Sequence, residues 1–194
     1  MGEPEQPPAR HSARPPAQPP VRRLFIGLWP PSGTKRALAA WLRGWSWPAH
    51  AAVVAPERLH LTLHFLGPVP EPQLPALRDA LAAPALDFAP CELRFDRVER
   101  WPHGLIVLGA QPLPESLRAL HERLADVLRA LQLRVEARRF QPHVTLARKA
   151  DGAAAPPRAP DVRWPVGGYA LVQSADGYRT LQRYGPTTAP RAPG

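Results

Sequence analysis

One tetrapeptide pattern, His-x-Thr-Leu, occurs twice in this chain, as His60-Leu61-Thr62-Leu63 and His143-Val144-Thr145-Leu146, and it restricts the possible folds more tightly than any other feature. Each copy sits in a run that alternates polar and apolar residues, 59–65 and 142–147, which is the period-two pattern of a half-buried strand. On such a strand His and Thr leave from one face. The leucines, Val144 and Phe65 are then expected to anchor the strands in a core, with an imidazole and a hydroxyl side by side on the opposite surface. The chain has only seven histidines in 194 residues, so chance is a poor explanation for two with matched neighbours. The copies stand 83 residues apart, His60 to His143, close to half of the segment that reads as folded. The pattern predicts a two-lobed α+β fold with internal pseudo-symmetry, each lobe supplying one motif strand to a shared cleft.

The elements around the motifs repeat in a compatible order. A strand over 23–29 is stopped by Pro30-Pro31, and Ser32 is placed to cap a helix carrying Leu38, Trp41 and Leu42 on one face. A second helix is predicted over 72–82, where Leu74, Leu77 and Leu81 recur at helical spacing. Strands over 88–98 and 105–108 flank the turn signal Trp101-Pro102-His103-Gly104 and read as a hairpin. The clearest helix covers 113–131, with Leu117, Leu120, Leu124, Val127, Leu128 and Leu131 as a wide stripe. After the second motif, 151–160 is a loop rich in Ala and Pro. Strands over 169–173 and 179–184 then flank Asp176-Gly177, a turn pair suited to positive φ.

Composition sets the bounds. The length and the 44% hydrophobic content fit one ordinary domain, or two small lobes sharing a core. Residues 1–21 read as a Pro-rich disordered tail, 22–186 as the folded domain and 187–194 as a second disordered tail, because the ends hold too little apolar side chain to offset the entropy of ordering. No run approaches the ~20 apolar residues of a membrane span, and the N-terminal segment lacks the apolar middle of a secretory signal. Cys91 is the single cysteine, which excludes an intramolecular disulfide and a cysteine metal cluster, agrees with a reducing cytoplasm, and reads as an ordinary strand entry. Of the basic residues behind the net charge of +9, only Lys35 and Lys149 are lysine. Together with 28 prolines this matches a GC-rich coding bias, so the charge favours anionic ligands without by itself indicating nucleic acid. Nothing in the sequence demands more than a monomer.

Two histidines can hold one base and one acid at the same working pH, since imidazole alone has an unperturbed pKa near neutrality. That is the requirement for cleaving a phosphodiester without metal: a neutral His takes a proton from the attacking oxygen, and a charged one hands a proton to the departing oxygen. Thr62 and Thr145 can donate to a non-bridging phosphate oxygen, and the guanidinium of Arg148 can clamp the same oxygens. Strict alternation sets Arg148 on the face opposite His143, so its participation requires a strand end or a bulge. His64 follows His60 by four residues, but that spacing joins metal ligands on a helix, and no zinc-protease Glu accompanies it. On a strand it is the next outward position, and no metal site is expected. His103 in its turn and His121 on the long helix read as solvated side chains.

The segments Arg23-Leu24-Phe25-Ile26-Gly27-Leu28, Leu59-His60-Leu61-Thr62-Leu63-His64-Phe65-Leu66-Gly67, Phe140-Gln141-Pro142-His143-Val144-Thr145-Leu146-Ala147-Arg148 and Leu171-Val172-Gln173-Ser174 together resemble the RNA 2′,3′-cyclic phosphodiesterases, also called 2′-5′ RNA ligases, of the two-histidine phosphoesterase superfamily. The resemblance runs in order from Arg23 to Tyr184. It implies a bilobal fold with two antiparallel sheets around a central cleft, helices on the outside, and hydrolysis of a terminal 2′,3′-cyclic phosphate to a 2′-phosphate. By the same matching His60 is the proton donor to the leaving 3′ oxygen, His143 is the proton acceptor from water, and Thr62, Thr145 and Arg148 hold the phosphate. No cofactor is implied. The implied partner is RNA or an oligonucleotide with a cyclic phosphate end, or a small cyclic nucleotide, with no membrane. His64 stands where such proteins often carry Lys, which predicts a titratable cleft cation there. Two alternatives stay open: the reverse reaction, joining a cyclic phosphate to a 5′-hydroxyl, and a non-catalytic module that binds RNA phosphates. Phe25, Phe65 and Trp101 are candidates for stacking a base in the cleft.

Overall fold

The computed structural model describes residues 19–158 and 160–185; the expected tails therefore fall outside the described residues except for 19–21, of which Val21 already opens the first strand. The elements in chain order are β1 (Val21–Leu28), α1 (Ser32–Leu42), β2 (Ala52–Val53), β3 (Leu61–Pro70), α2 (Leu74–Leu81), β4 (Cys91–Trp101), β5 (Leu105–Ala110), α3 (Glu115–Ala130), β6 (His143–Arg148), β7 (Val162–Val166), β8 (Tyr169–Ser174) and β9 (Tyr178–Tyr184). Every strand pairing is antiparallel.

The strands follow one path, β7-β4-β5-β6-β3-β1-β8-β9, with β2 on the free edge of β6. Its weak point is the middle. β3 and β6, the two motif strands, pair at Leu61 and Val144 alone, so the sheet divides into the two related halves that the duplication predicts. In each half the chain runs from a central strand (β1 or β5) through a helix (α1 or α3) into the motif strand beside it. Each helix also crosses over. α1 packs against β7 of the other half, where Thr34 Oγ1 donates to the Arg163 carbonyl at 2.8 Å, and α3 packs against β3.

The apolar periodicities account for the helices. Thr34, Leu38 and Leu42 form the buried row of α1, Leu74, Leu77 and Leu81 that of α2, and Leu117, Leu120, Leu124 and Leu128 that of α3. These rows meet Leu24, Ile26, Leu61, Leu108 and Val144 in the main core on the helix-covered side of the sheet. A smaller cluster of Phe25, Ala170 and Val172, with Trp29, Phe65 and Tyr178 against it, lies on the other side.

Local details differ from expectation. Ser32 is the first helical residue of α1 rather than its cap; extended Pro31 takes that position with no side-chain bond, and its carbonyl accepts from Lys35 N at 2.9 Å. Neither Asp176 nor Gly177 adopts a positive φ, because the β8–β9 connection is a three-residue loop closed by Ala175 N donating to the Gly177 carbonyl.

Candidate active site

The single β3–β6 pairing fixes the centre of the cleft. Leu61 and Val144 point into the core with no exposure, so the residues on either side of them face the opposite way. Carried one residue in each direction, the antiparallel register sets His60 across from Thr145 and His143 across from Thr62. A pseudo-two-fold axis through the Leu61–Val144 pair thus brings two imidazoles and two hydroxyls together. In a regular ladder such diagonal neighbours stand about 7–8 Å apart, room for one tetrahedral anion between the rings. All four residues line one cleft of about 410 Å³, together with Arg148, Phe25, Trp101 and Tyr178.

Both imidazoles are tethered in the same way. Nδ1 of His60 bonds the Arg58 carbonyl at 2.7 Å, and Nδ1 of His143 bonds the Gln141 carbonyl at 2.8 Å, in each case two residues upstream. A carbonyl only accepts, so Nδ1 carries the hydrogen in both rings and Nε2 is the nitrogen free to exchange a proton. Burial lowers both pKa values, which favours neutral rings. The surroundings then differ. Around His60 the further charges, His143, Arg148 and Arg58, all disfavour its protonation; around His143, Arg138 and Arg148 act the same way, but the Glu99 carboxylate opposes them.

Aromatic rings hold the first imidazole. Trp29 stacks on His60 at 5.3 Å with planes 16° apart, Tyr178 meets it edge-on at 4.9 Å, and Phe25 lies 5.0 Å away. On the other lobe Trp101 packs on His143 at 4.5 Å and donates its indole N–H to Glu99 Oε2 at 2.8 Å. Two glycines make room for these contacts on the strands beside the motifs. A Cβ at Gly27 would come within 2.9 Å of the Leu61 carbonyl oxygen and 3.2 Å of the Phe25 ring, and one at Gly109 within 2.9 Å of Glu99 Oε1.

A bulge follows the Thr of both motifs. Leu63 is the extra residue of β3 between the pairs Ile26–His64 and Gly27–Thr62, and Leu146 is that of β6 between Ile106–Ala147 and Val107–Thr145. Each bulge reverses the alternation beyond it. Arg148 therefore reaches the cleft face at the end of β6, the condition its participation requires. In β3 the same shift corrects two expectations. Phe65 lines the cleft instead of anchoring the core, and His64, 3% exposed, is not an outward residue. His64 forms part of the cleft wall with its Nε2 bonded to the His121 carbonyl at 2.9 Å, and burial lowers its pKa, so it supplies no ready cation there. His121 is not a solvated side chain either. It is stacked between His64 at 4.0 Å and Phe140 at 4.1 Å, and burial, then the charge of His64, depress its pKa to about 4. This stack covers the edge of β3 that has no strand partner beyond Leu61. Among the described residues, no group of three or more His, Cys, Asp or Glu side chains is arranged to hold a metal ion.

Residues 34–177 match the family described as the 2′-5′ RNA ligase superfamily. The chain belongs to that superfamily. Its relatives in the superfamily include the RNA 2′,3′-cyclic phosphodiesterase of Thermus thermophilus, 35% identical over 171 residues that cover 78% of this chain and 81% of the relative. A protein of the same name from Escherichia coli is 31% identical over 148 residues, covering 74% and 80%. Among solved structures, E. coli LigT complexed with 3′-AMP superposes with a TM-score of 0.76 at 26% identity, covering 87% of this chain and 99% of LigT. For this superfamily member, sequence reasoning missed Trp29, Tyr178 and Glu99. No local signal marks them, since their contacts to the histidines arise from strand pairing. The carbonyl tethers were equally hidden, being backbone groups.

Proposed function

We propose that this protein hydrolyses RNA 2′,3′-cyclic phosphate ends to 2′-phosphomonoesters, with His60 and His143 as acid and base. The reading rests above all on the matched tethers: two imidazoles, each bound through Nδ1 to a carbonyl two residues upstream, line one cleft with Nε2 free. His143 Nε2 takes a proton from water as its oxygen forms a bond to phosphorus. The bond from phosphorus to the 3′ oxygen breaks, and that oxygen receives the proton from His60 Nε2. The 2′ ester stays intact. Glu99 supports His143 as the base, because a nearby carboxylate stabilises the imidazolium that forms. Thr62, Thr145 and Arg148, all lining the cleft, stabilise the charge on the non-bridging oxygens. The aromatic walls around His60 keep bulk water from the leaving oxygen.

The test is to incubate the purified protein with adenosine 2′,3′-cyclic phosphate and a chelator and identify the product by ³¹P NMR. Formation of the 2′-monoester is expected. A 3′-monoester, or no turnover of any cyclic nucleotide or RNA end, contradicts the proposal.

A further inference from the structure

We propose that the cleft contains a second anion subsite, formed by Arg23 and Arg139, that takes the phosphodiester on the 5′ side of the RNA end held between the histidines. The inference rests on the proposed function and extends it from a cyclic nucleotide to a chain. The cyclic phosphate already has two imidazoles, two hydroxyls and Arg148, yet the same cleft is lined by Arg23 and Arg139 beyond that set. Both are exposed, and neither joins an ion pair among the described residues. Their sequence neighbours do pair: Arg22 meets Glu71 at 2.8 Å, and Arg138 meets Glu136 at 2.9 Å. Glu136 is the one carboxylate among the described cleft-lining residues, and Arg138 occupies it. Two guanidiniums thus face a cleft whose own negative charge is already matched.

Their placement suits a chain. Arg23 alternates with Phe25 on the cleft face of β1, and its guanidinium lies over the Phe65 ring at 5.1 Å, which fixes the plane while leaving the N–H edge for a ligand. Arg139 adjoins Phe140. Arg23, Phe65, Arg139 and Phe140 all line the one cleft. Phe65 follows Thr62 by three residues, about 10 Å along a regular strand and somewhat less across the bulge. That exceeds the spacing of oxygens on one phosphate, so the arginines reach a second anion rather than the first. A terminal cyclic phosphate has further phosphates only on its 5′ side, and Arg recognises a phosphodiester oxygen pair through its planar fork.

The experiment compares kcat/KM for adenosine 2′,3′-cyclic phosphate, the dinucleotide ApA ending in the cyclic phosphate, the same dinucleotide with an uncharged methylphosphonate linkage, and the mononucleotide carrying a 5′-phosphate. The dinucleotide is expected to exceed the mononucleotide by about tenfold, the scale of one charge-assisted contact. That ratio falls toward one in the Arg23→Ala, Arg139→Ala double variant and with the methylphosphonate. The salt dependence for the dinucleotide weakens in the double variant by a slope of about 0.7–1. An advantage that survives the double variant or the neutral linkage overturns the proposal in favour of base recognition. A 5′-phosphorylated mononucleotide that beats the dinucleotide overturns it in favour of a terminal-phosphate site. Binding of the corresponding 2′-monoesters, measured by calorimetry, shows the same ratio without turnover. If no cyclic compound is hydrolysed, the proposed function fails while this binding ratio still decides the subsite.

Discussion

Glu99 distinguishes two imidazoles that are otherwise tethered alike. Its Oε2 fixes Trp101, Trp101 packs on His143, and its charge is the one nearby influence other than the backbone bond that raises the His143 pKa. In a Glu99→Gln variant the amide oxygen can still accept from the indole, but the negative charge is gone. The His143 resonances in an NMR titration then move to a lower midpoint, while those of His60, relieved of part of the His143 charge, move only upward; an unchanged His143 midpoint means that Glu99 acts only through packing. Replacing Arg148 by Ala removes a cation that disfavours both imidazolium ions, so both midpoints rise, and kcat/KM is expected to fall by roughly 10²-fold or more as the proposed phosphate clamp is lost. The four motif residues were legible from the sequence because duplication and alternation both act locally. Arg148 was legible only conditionally. Whether it faced the cleft depended on a bulge at Leu146, and nothing in the residue types of Thr145-Leu146-Ala147 announces one.

Among the elements, the contact of α3 with β3 carries the clearest pH dependence. His121 has its pKa held at about 4 against an ordinary 6.5, so the folded protein refuses a proton that the unfolded chain accepts in between. Stability from this group is intact above pH 6.5 and is lost as pH falls toward 4. The melting temperature of the wild type should therefore drop more steeply over that window than that of a His121→Phe variant; parallel slopes would show that the stack does not carry the effect. The close approach at Gly27 gives a second expectation. Gly27→Ala drives a methyl group against the Leu61 carbonyl and the Phe25 ring, with a loss of about 1–3 kcal/mol in denaturant unfolding and a displaced wall beside His60. The long periodic elements were readable in advance, α3 above all. β7 was not, because Pro165 interrupts the pattern and is tolerated only on the outermost strand of the path. β2, two exposed residues, carries no pattern at all.

At the scale of the whole molecule, the two halves share little sheet and exchange helices. The ladders are joined only by the Leu61–Val144 pair and the two-residue β2 on β6, while α1 packs on β7 and α3 on β3 across the divide. Neither half can open without stripping a helix from the other, so amide exchange in β1 and in β5 is expected to report the same opening free energy. This coupling keeps the histidines in register across a cleft formed from distant parts of the chain. In the proposed reaction one of these histidines gives a proton while the other takes one, a claim that the pH dependence of kcat/KM decides. The wild type should show a bell, His143→Ala a profile without its acidic limb, and His60→Ala a profile without its basic limb, each variant slowed by ~10² to 10⁴. A bell that persists in either variant would contradict the claim.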